Sequence, residues 1–372
     1  MALPEKVMMA ALDATIHGFL LARAYVELAK YRLVGRPPLI SPGRPMKGNV
    51  ACVFACFAPK TLPGMSEAFV HRMAVLGYDV VVVNNARFDE QSRARLLGFA
   101  SAVIERTNIG RDFGAYKDGL AYLLTPGRPS FRRVMLCNDS VYVNCDKVGE
   151  FLTALNETDY PFMGTTWSLE PFYHLQSYCL SFSADVLNHP AFRRFWREYR
   201  PLSDRRHSIK NGELALFKTL TAAGFQPKAV YSLEDVRTAW AGCHIEDLIQ
   251  LLPDNFLASE RTLLYSLITG GAATAQSPTS AGLSGIRQGF LSEAEHHSQI
   301  HHCGLLFYKL LGCPFVKKDL CYRGIISYAK ILATLEDLRP EWFEYVRRDL
   351  RNRGLHTGLR GLRRFLVARG LI

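Results

Sequence analysis

Asn108, Gly110, Arg111, Asp112 and Lys117 crowd into one short stretch of this chain, Asn108-Ile-Gly-Arg-Asp-Phe-Gly-Ala-Tyr-Lys117. A glycine-bearing turn points backbone N–H groups outward, and the two cations add charge for a phosphate. Asp112 offers a carboxylate for a hydroxyl or a divalent cation. A second polar group follows at Asn138-Asp139-Ser140. These residue types suit binding of a phosphorylated or sugar-bearing ligand. The turn also admits a purely structural account, with Asp112 as helix N-cap and Gly110 at a position requiring positive φ.

Both groups sit where an α/β sheet would present them. The apolar segment Ala102-Val103-Ile104 precedes the turn, and helical spacing runs from Ala115 to Leu124 after it. Val134 to Cys137 reads as a buried strand ending at Asn138. Strand patterns at Val50–Phe57 and Val80–Val83 alternate with helix patterns at Ser66–Leu76 and Arg93–Ala100, which predicts a mostly parallel sheet with helices on both faces. Further strands are expected at Met163–Thr166, Tyr178–Ser183 and Lys228–Tyr231, with helices at Phe192–Tyr199 and Gly212–Ala223. Gly304–Leu311, Ile325–Leu335 and Trp342–Asn352 read as C-terminal helices. Ile268–Gly289, rich in Gly, Ala, Ser and Thr, reads as a loop or lid.

The blocks Asn108-x-Gly110-x-Asp112-x-Gly114-x-Tyr116-Lys117 and Leu136-x-Asn138-Asp139-Ser140 resemble those of the rhamnan synthesis F family, glycosyltransferases of bacterial polysaccharide assembly. His174-Leu-Gln-Ser-Tyr178, Phe192 to Trp196, Glu213 in a helix ending at Gly224-Phe225, and Pro314-Phe-Val-Lys317 extend the resemblance over roughly Asn49 to Leu320. The resemblance implies a GT-A-type, Rossmann-like fold. It also implies transfer of rhamnose or another deoxyhexose from a nucleotide diphosphate to a growing lipid-linked cell-surface polysaccharide, with inversion.

Such transfer needs a charge sink for the departing diphosphate and a base for the acceptor hydroxyl. Asp139 is the expected sink, through Mg²⁺ or Mn²⁺. The usual metal motif of this fold carries two acids around one residue, whereas Asp139 stands between Asn138 and Ser140. Asn108, Gly110, Arg111, Lys117, Asn138, Ser140 and Lys317 are the expected donor-binding residues. Glu213 is the expected base, with Asp112 and Asp185 as rivals; a glutamate in a first helical turn also suits the helix dipole without any catalytic role. His174, Gln176, Ser177 and Trp167 combine ring faces and short polar groups suited to the acceptor sugar. Among His296, His297, His301 and His302, a 297/301 zinc pair or a His301 contact to the metal is conceivable at helical spacing.

Composition narrows the partners. The net charge of +11 favours an anionic partner, and 48% apolar residues support a real core. Nine cysteines without a Cys-x-x-Cys pair fit a reducing compartment. No signal peptide or long uncharged apolar span is evident. Val7–Tyr31 forms a broad apolar helical stripe, and Gly35–Gly48 is proline-rich like a linker. Arg347, Arg348, Arg351, Arg353, Arg360, Arg363, Arg364 and Arg369 face one acid, Asp349, in the last 26 residues. That basic amphipathic pattern suggests an anionic membrane surface, while nucleic acid is not expected. The expected organisation is an N-terminal helix and linker (1–48), a catalytic domain (49–335) and a basic helical tail (336–372). The expected location is the cytoplasmic, inner face of the bacterial cell membrane, beside other polysaccharide-assembly enzymes. A non-catalytic sugar-binding subunit and a capsule-type phosphosugar transferase are the competing readings.

Overall fold

The computed structural model describes residues 3–240, 243–259 and 280–354. Its centre is β2 (Val50–Cys56), a seven-residue run with every side chain buried. Alternate residues serve two cores. Val50, Cys52, Phe54 and Cys56 join one, and Ala51, Val53 and Ala55 the other. A strand covered on both faces needs no polar alternation, which explains its uniform apolar sequence.

Around it run β1 (Leu39–Pro42), β3 (Tyr78–Asn84), β4 (Ala102–Glu105), β5 (Arg133–Asn138), β6 (Val141–Val143), β7 (Phe162–Gly164), β8 (Trp167–Ser168), β9 (His174–Leu175), β10 (Cys179–Ser183), β11 (Pro227–Ala229) and β12 (Phe315–Lys317). The main sheet has the order β1-β4-β3-β2-β5-β10-β7-β11. Strands β4, β3, β2 and β5 are parallel, β1 and β10 flank them antiparallel, and β11 runs parallel to β7. The fold is therefore α/β, with a mostly parallel centre and helices on both faces, as the alternation predicts.

Helix α1 is Leu3–Val34. Helices α2 (Gly64–Val75) and α3 (Glu90–Leu97) cover one face; α4 (Arg111–Leu123) packs on the other. Gly119 of α4 sits so close to β2 that a Cβ there would lie 2.3 Å from Val53 Cγ1. This contact fixes the height of α4, and hence of Asp112, over the sheet. Helices α5 (Val148–Asn156), α6 (Ala184–Asn188), α7 (Pro190–Glu198) and α8 (Leu214–Ala222) follow.

Several local expectations change. Part of the proline-rich linker is an edge strand, with Leu39 to Pro42 registered against Glu105 to Ala102. The Gly/Ala/Ser-rich segment is helical from Ser280 to Glu295, and its earlier part lies outside the described residues. Asp112 is not the cap of α4. Gly110 is, at φ 79°, followed by Arg111 at φ 53°. The C-terminal stretch Pro340–Arg353 is a helix that buries Val346 and Leu350 in the core, so its basic face is only one side of a packed element. Of the tail arginines, Arg360, Arg363, Arg364 and Arg369 lie outside the described residues.

Candidate active site

Parallel strands deliver their carboxyl ends to one sheet edge, the usual place for a ligand crevice. Here that edge carries Phe57, Asn84, Glu105 and Asn138, and the turn into α4 lies above it. Arg106, with a side chain 2% exposed, builds the turn. Its guanidinium donates to Asn85 Oδ1, to Ile109 O at 2.8 Å and to Asp118. Gly110 N donates to Ser203 Oγ at 3.2 Å, and a Cβ on Gly110 would meet Pro201 at 2.2 Å. Consecutive positive φ values at Gly110 and Arg111 result; the non-glycine Arg111 costs roughly 1–3 kcal/mol of backbone strain, a signature of functional turns.

Asp112 then meets the second polar group. Asn138 Nδ2 donates to Asp112 Oδ2 at 2.8 Å, Ser140 Oγ to Asn138 Oδ1 at 2.6 Å, and Lys317 Nζ to Ser140 Oγ at 2.9 Å. Lys317 arrives from far along the chain because β12 pairs antiparallel with β6, opposing Lys317 to Val141. Lys318 follows, with its N–H on Ser140 O. Asp139 accepts from Phe57 N at 3.3 Å. It lines a chamber of about 420 Å³ with Phe57, Asn85, Lys318 and Arg353, which also touches Asn108, Arg111, Asp112, Ser140, Lys317 and Asp319.

The electrostatics of this chamber are unusual. Burial and the neighbouring Asp139 charge push the Asp112 carboxyl up to about 6, and burial raises Asp139 as well. Burial lowers Lys317 and Lys318, against the opposing pull of the nearby carboxylates. Two partly desolvated acids therefore face two desolvated amines, a site where an incoming ligand's charge counts heavily.

A larger cleft of about 670 Å³ adjoins it, sharing Asn108, Arg111, Asp112, Ser140, Lys317 and Asp319 and adding Gln176, Ser177, Glu213 and His301. Glu213 ends a π-helical turn, Ser208–Glu213, and does not open a helix; α8 begins after it. Gly212 within the turn lets the backbone approach the Phe113 ring, where a Cβ would be 2.8 Å from Cγ. Ser177 N donates to Glu213 Oε2 at 2.7 Å, Ser177 Oγ bonds the same oxygen, and His174 Nε2 lies 3.2 Å from Oε1. Burial alone would raise the Glu213 carboxyl, but His174 and the Ser177 donors outweigh it and hold it below its ordinary value. At His174 burial disfavours the cation, but the Glu213 carboxylate outweighs it and raises the imidazole above its ordinary value. Leu20, Arg23, Ala24 and Glu27 of α1 form one wall of this cleft. The helix is seated by Ala24 and Leu28 against Ile109 and Leu202, and by an Asp13–Arg206 ion pair at 2.7 Å.

Other expected residues fall elsewhere. Lys117 donates to the carbonyls of Arg197 (2.9 Å) and Tyr199 (2.7 Å), a structural clamp on the end of α7 outside the cleft lining. Trp167 is buried and stacked on Tyr173 at 4.2 Å between ring centroids, so its face is already covered. Asp185 follows Ser183, which pairs with Arg133 at the opposite end of β5 from Asn138, so it stands at the wrong sheet edge for the Asp112–Glu213 cleft. His301 lines the larger cleft, but both its ring nitrogens are engaged, by Ser298 Oγ (2.6 Å) and by Asp319 Oδ1 (3.2 Å). His297 stacks on His302 at 4.3 Å and bonds Glu170 at 3.1 Å, which separates it from His301 as a zinc pair. Among the described residues no group of three or more His, Cys, Asp or Glu side chains is arranged to hold a metal.

The cleft also contains residues the motifs do not mark. Arg205 and Arg323 line the larger cleft, and Arg353 lines the Asp139 chamber. Arg205 lies in the polar run before Glu213, where clustered basic residues are the only signal. Arg353 reads from sequence as part of a surface tail; the Tyr142–Asp349 hydrogen bond at 2.7 Å and the Arg353–Asp349 ion pair at 2.6 Å bring it inward.

Comparison with known proteins places these motifs in context. Residues 80–258 match the family model described as rhamnan synthesis protein F. The chain is 29% identical to an uncharacterized protein, y4gN, of Sinorhizobium fredii over 219 residues, 57% of this chain and 56% of that protein. The chain thus spans little more than half the length of that relative. It is 25% identical to virulence protein VirA of Vibrio anguillarum over 239 residues, 63% of this chain and 67% of that protein. Solved structures to which it is similar include the glycosyltransferase GlyE of Streptococcus pneumoniae (12% identity, TM-score 0.31, 68% of this chain and 65% of that one). Another is the mannosyltransferase PcManGT of Pyrobaculum calidifontis, solved with GDP-Man and Mn²⁺ (13% identity, TM-score 0.32, 93% and 96%). The segment that is similar to the rhamnan synthesis protein F family, residues 80–258, contains the Asn108 turn, Asn138-Asp139-Ser140, His174 to Ser177 and Glu213.

Proposed function

We propose that the chain is a glycosyltransferase that moves a sugar from a nucleotide diphosphate donor to a glycan acceptor. The observation that carries this reading is the chamber in which Asp112 and Asp139 face Lys317, Lys318 and Arg353 beside the carboxylate-bearing Glu213 cleft. It offers charge for a diphosphate on one side and a base for a hydroxyl on the other.

In this mechanism Lys317, Lys318 and Arg353 bind the diphosphate oxygens and take up the charge that grows as the sugar C1–O bond breaks. The electron pair leaves with the nucleoside diphosphate. Glu213, ionised and oriented by His174, accepts the acceptor hydroxyl's proton as that oxygen bonds C1 from the opposite face, inverting the centre. Mg²⁺ or Mn²⁺ fits the oxygen donors of Asp112 and Asp139, which are half-buried, mutually repelling carboxylates. Such an ion is commonly held by one or two carboxylates plus substrate phosphates, and when bound it would neutralise diphosphate charge. His301 is left out of that set.

The similarity to a rhamnan synthesis family supports rhamnose, or another deoxyhexose, as the sugar, and the acceptor in this reading is a growing lipid-linked cell-surface polysaccharide. Attachment to the inner membrane face would be through basic and amphipathic surfaces, since no helix among the described residues is long and apolar enough to cross a membrane. The test is a panel of nucleotide sugars, dTDP-rhamnose included, with detection of the released nucleotide. Turnover to nucleoside diphosphate supports the reading. Release of a nucleoside monophosphate identifies a phosphosugar transferase, and sugar binding without turnover identifies a non-catalytic subunit.

A further inference from the structure

The cations of the site form two groups. Lys318 and Arg353 line the Asp139 chamber. Arg205 and Arg323 do not; they line an adjoining recess of about 340 Å³ that shares Arg111, Asp112 and Lys317 with the chamber and adds His174, Ser177 and Glu213. Arg205 makes no side-chain hydrogen bond or ion pair among the described residues, and neither does Arg111. Burial and the like charges of Arg323 and Arg111 act together against the Arg205 cation, with only partial relief from Asp319 and Glu213. The acids around the recess are already engaged. Glu213 is held by Ser177 and His174, Asp112 by Asn138, and Glu170 by His297. Arg323 is 3.6 Å from Asp319, whose other oxygen contacts His301. Holding the unpaired, half-buried Arg205 guanidinium near the like charges of Arg323 and Arg111 is costly unless an anion completes it, and a planar fork suits a phosphate or carboxylate.

We infer that this recess binds an anionic group carried by the acceptor, so that the glycan unit receiving the sugar bears its own phosphate or carboxylate near the reacting hydroxyl. The inference rests on the glycosyltransferase reading for its identification of the acceptor side. The recess itself, with Arg205 and Arg111 facing it on the Glu213 side of Asp112, is independent of that reading. One anion would then lie beside Asp139, Lys318 and Arg353, and a second beside Glu213.

The experiment titrates the full chain with methyl phosphate and, separately, with glucuronate, each with and without saturating GDP, UDP or dTDP, following ligand and protein signals by NMR. Methyl phosphate or glucuronate should bind while a nucleoside diphosphate is in place. Arg205→Gln should weaken that binding tenfold or more and leave nucleoside diphosphate affinity unchanged, and Arg205→Lys should restore part of it. Lys318→Gln should do the reverse. Preference for methyl phosphate or for glucuronate tells which anion the acceptor carries. Mutual exclusion of either small anion with nucleoside diphosphate, absence of binding by both, or equal binding by Arg205→Gln overturns the second site while leaving the donor reading intact. Arg205-dependent binding of a small anion, with none of the nucleoside diphosphates bound, keeps the recess and overturns the donor reading.

Discussion

Ser177 bonds one carboxylate oxygen of Glu213 twice, through its backbone N–H at 2.7 Å and through its hydroxyl. With His174 on the other oxygen, Glu213 is fixed in one orientation and kept ionised. Glu213→Gln keeps the shape and removes the base. It should lower kcat by roughly 10²–10⁴ with donor affinity nearly unchanged. Steady-state kinetics beside donor titration checks this; survival of kcat transfers the role to Asp112, another carboxylate lining the cleft.

The same pair makes stability depend on pH. Glu213 is lowered from 4.5, so its contribution is present above that value and is lost as pH falls through the folded-state value. His174 is raised from 6.5, so its contribution is complete below that value and is lost as pH rises through its own folded value. The pair therefore stabilises most between 4.5 and 6.5. The Tm gap between the natural chain and Glu213→Gln should be widest inside that window and shrink at alkaline pH. A gap that grows steadily toward alkaline pH would contradict the assignment.

Asp139 is the half-buried acid of the chamber that Lys318 and Arg353 also line. Asp139→Ala should reduce turnover by roughly 10²-fold or more, as expected for losing one partner of transition-state charge. Full turnover by the folded variant would remove Asp139 from the mechanism.

Arg353 gives the basic C-terminal stretch a role inside the site. Arg353→Gln should weaken nucleoside diphosphate binding by about five- to thirty-fold, the loss of one charged hydrogen bond of roughly 1–2 kcal/mol. Calorimetric titration measures it. A vesicle-binding comparison for the remaining arginines should therefore use a chain ending after Gly354, which keeps Arg353 in place. Anionic vesicles should retain the full chain better than that shortened one, and less so in high salt.

Gly119→Ala tests how tightly the motif helix is seated. A Cβ at 2.3 Å from Val53 Cγ1 and 3.0 Å from Val83 Cγ2 has no room on the buried strands. Overpacking of roughly 1–3 kcal/mol should exceed the gain of about 1 kcal/mol that alanine brings to a helix interior. Thermal melting should show a lower Tm, and an unchanged Tm would mean α4 can lift from the sheet freely.

The parallel core was readable because its strands are short, wholly apolar and punctuated by polar ends, as in β2 and β5. The Asn108–Asp112 turn and Asn138-Asp139-Ser140 were readable for the same reason, lying at those ends. Lys117 misled because its motif neighbours Asn108, Arg111 and Asp112 line the cleft, whereas its own long side chain reaches back to the end of α7. Arg353 and Arg205 were hidden because only long-range packing decides which arginines of a basic stretch turn inward. Edge strand β1 was hidden by its prolines, which an edge tolerates.

Helix α1 and the helix Pro340–Arg353 come from opposite ends of the described chain, yet each supplies rim residues to the same pair of connected cavities. During synthesis the strands β2 to β5 are complete well before Arg353 has left the ribosome, but the Asp139 chamber is not fully lined until it has. A nascent or nicked chain would thus hold its central strands without a finished chamber, and the completed chamber is a mark of an intact polypeptide.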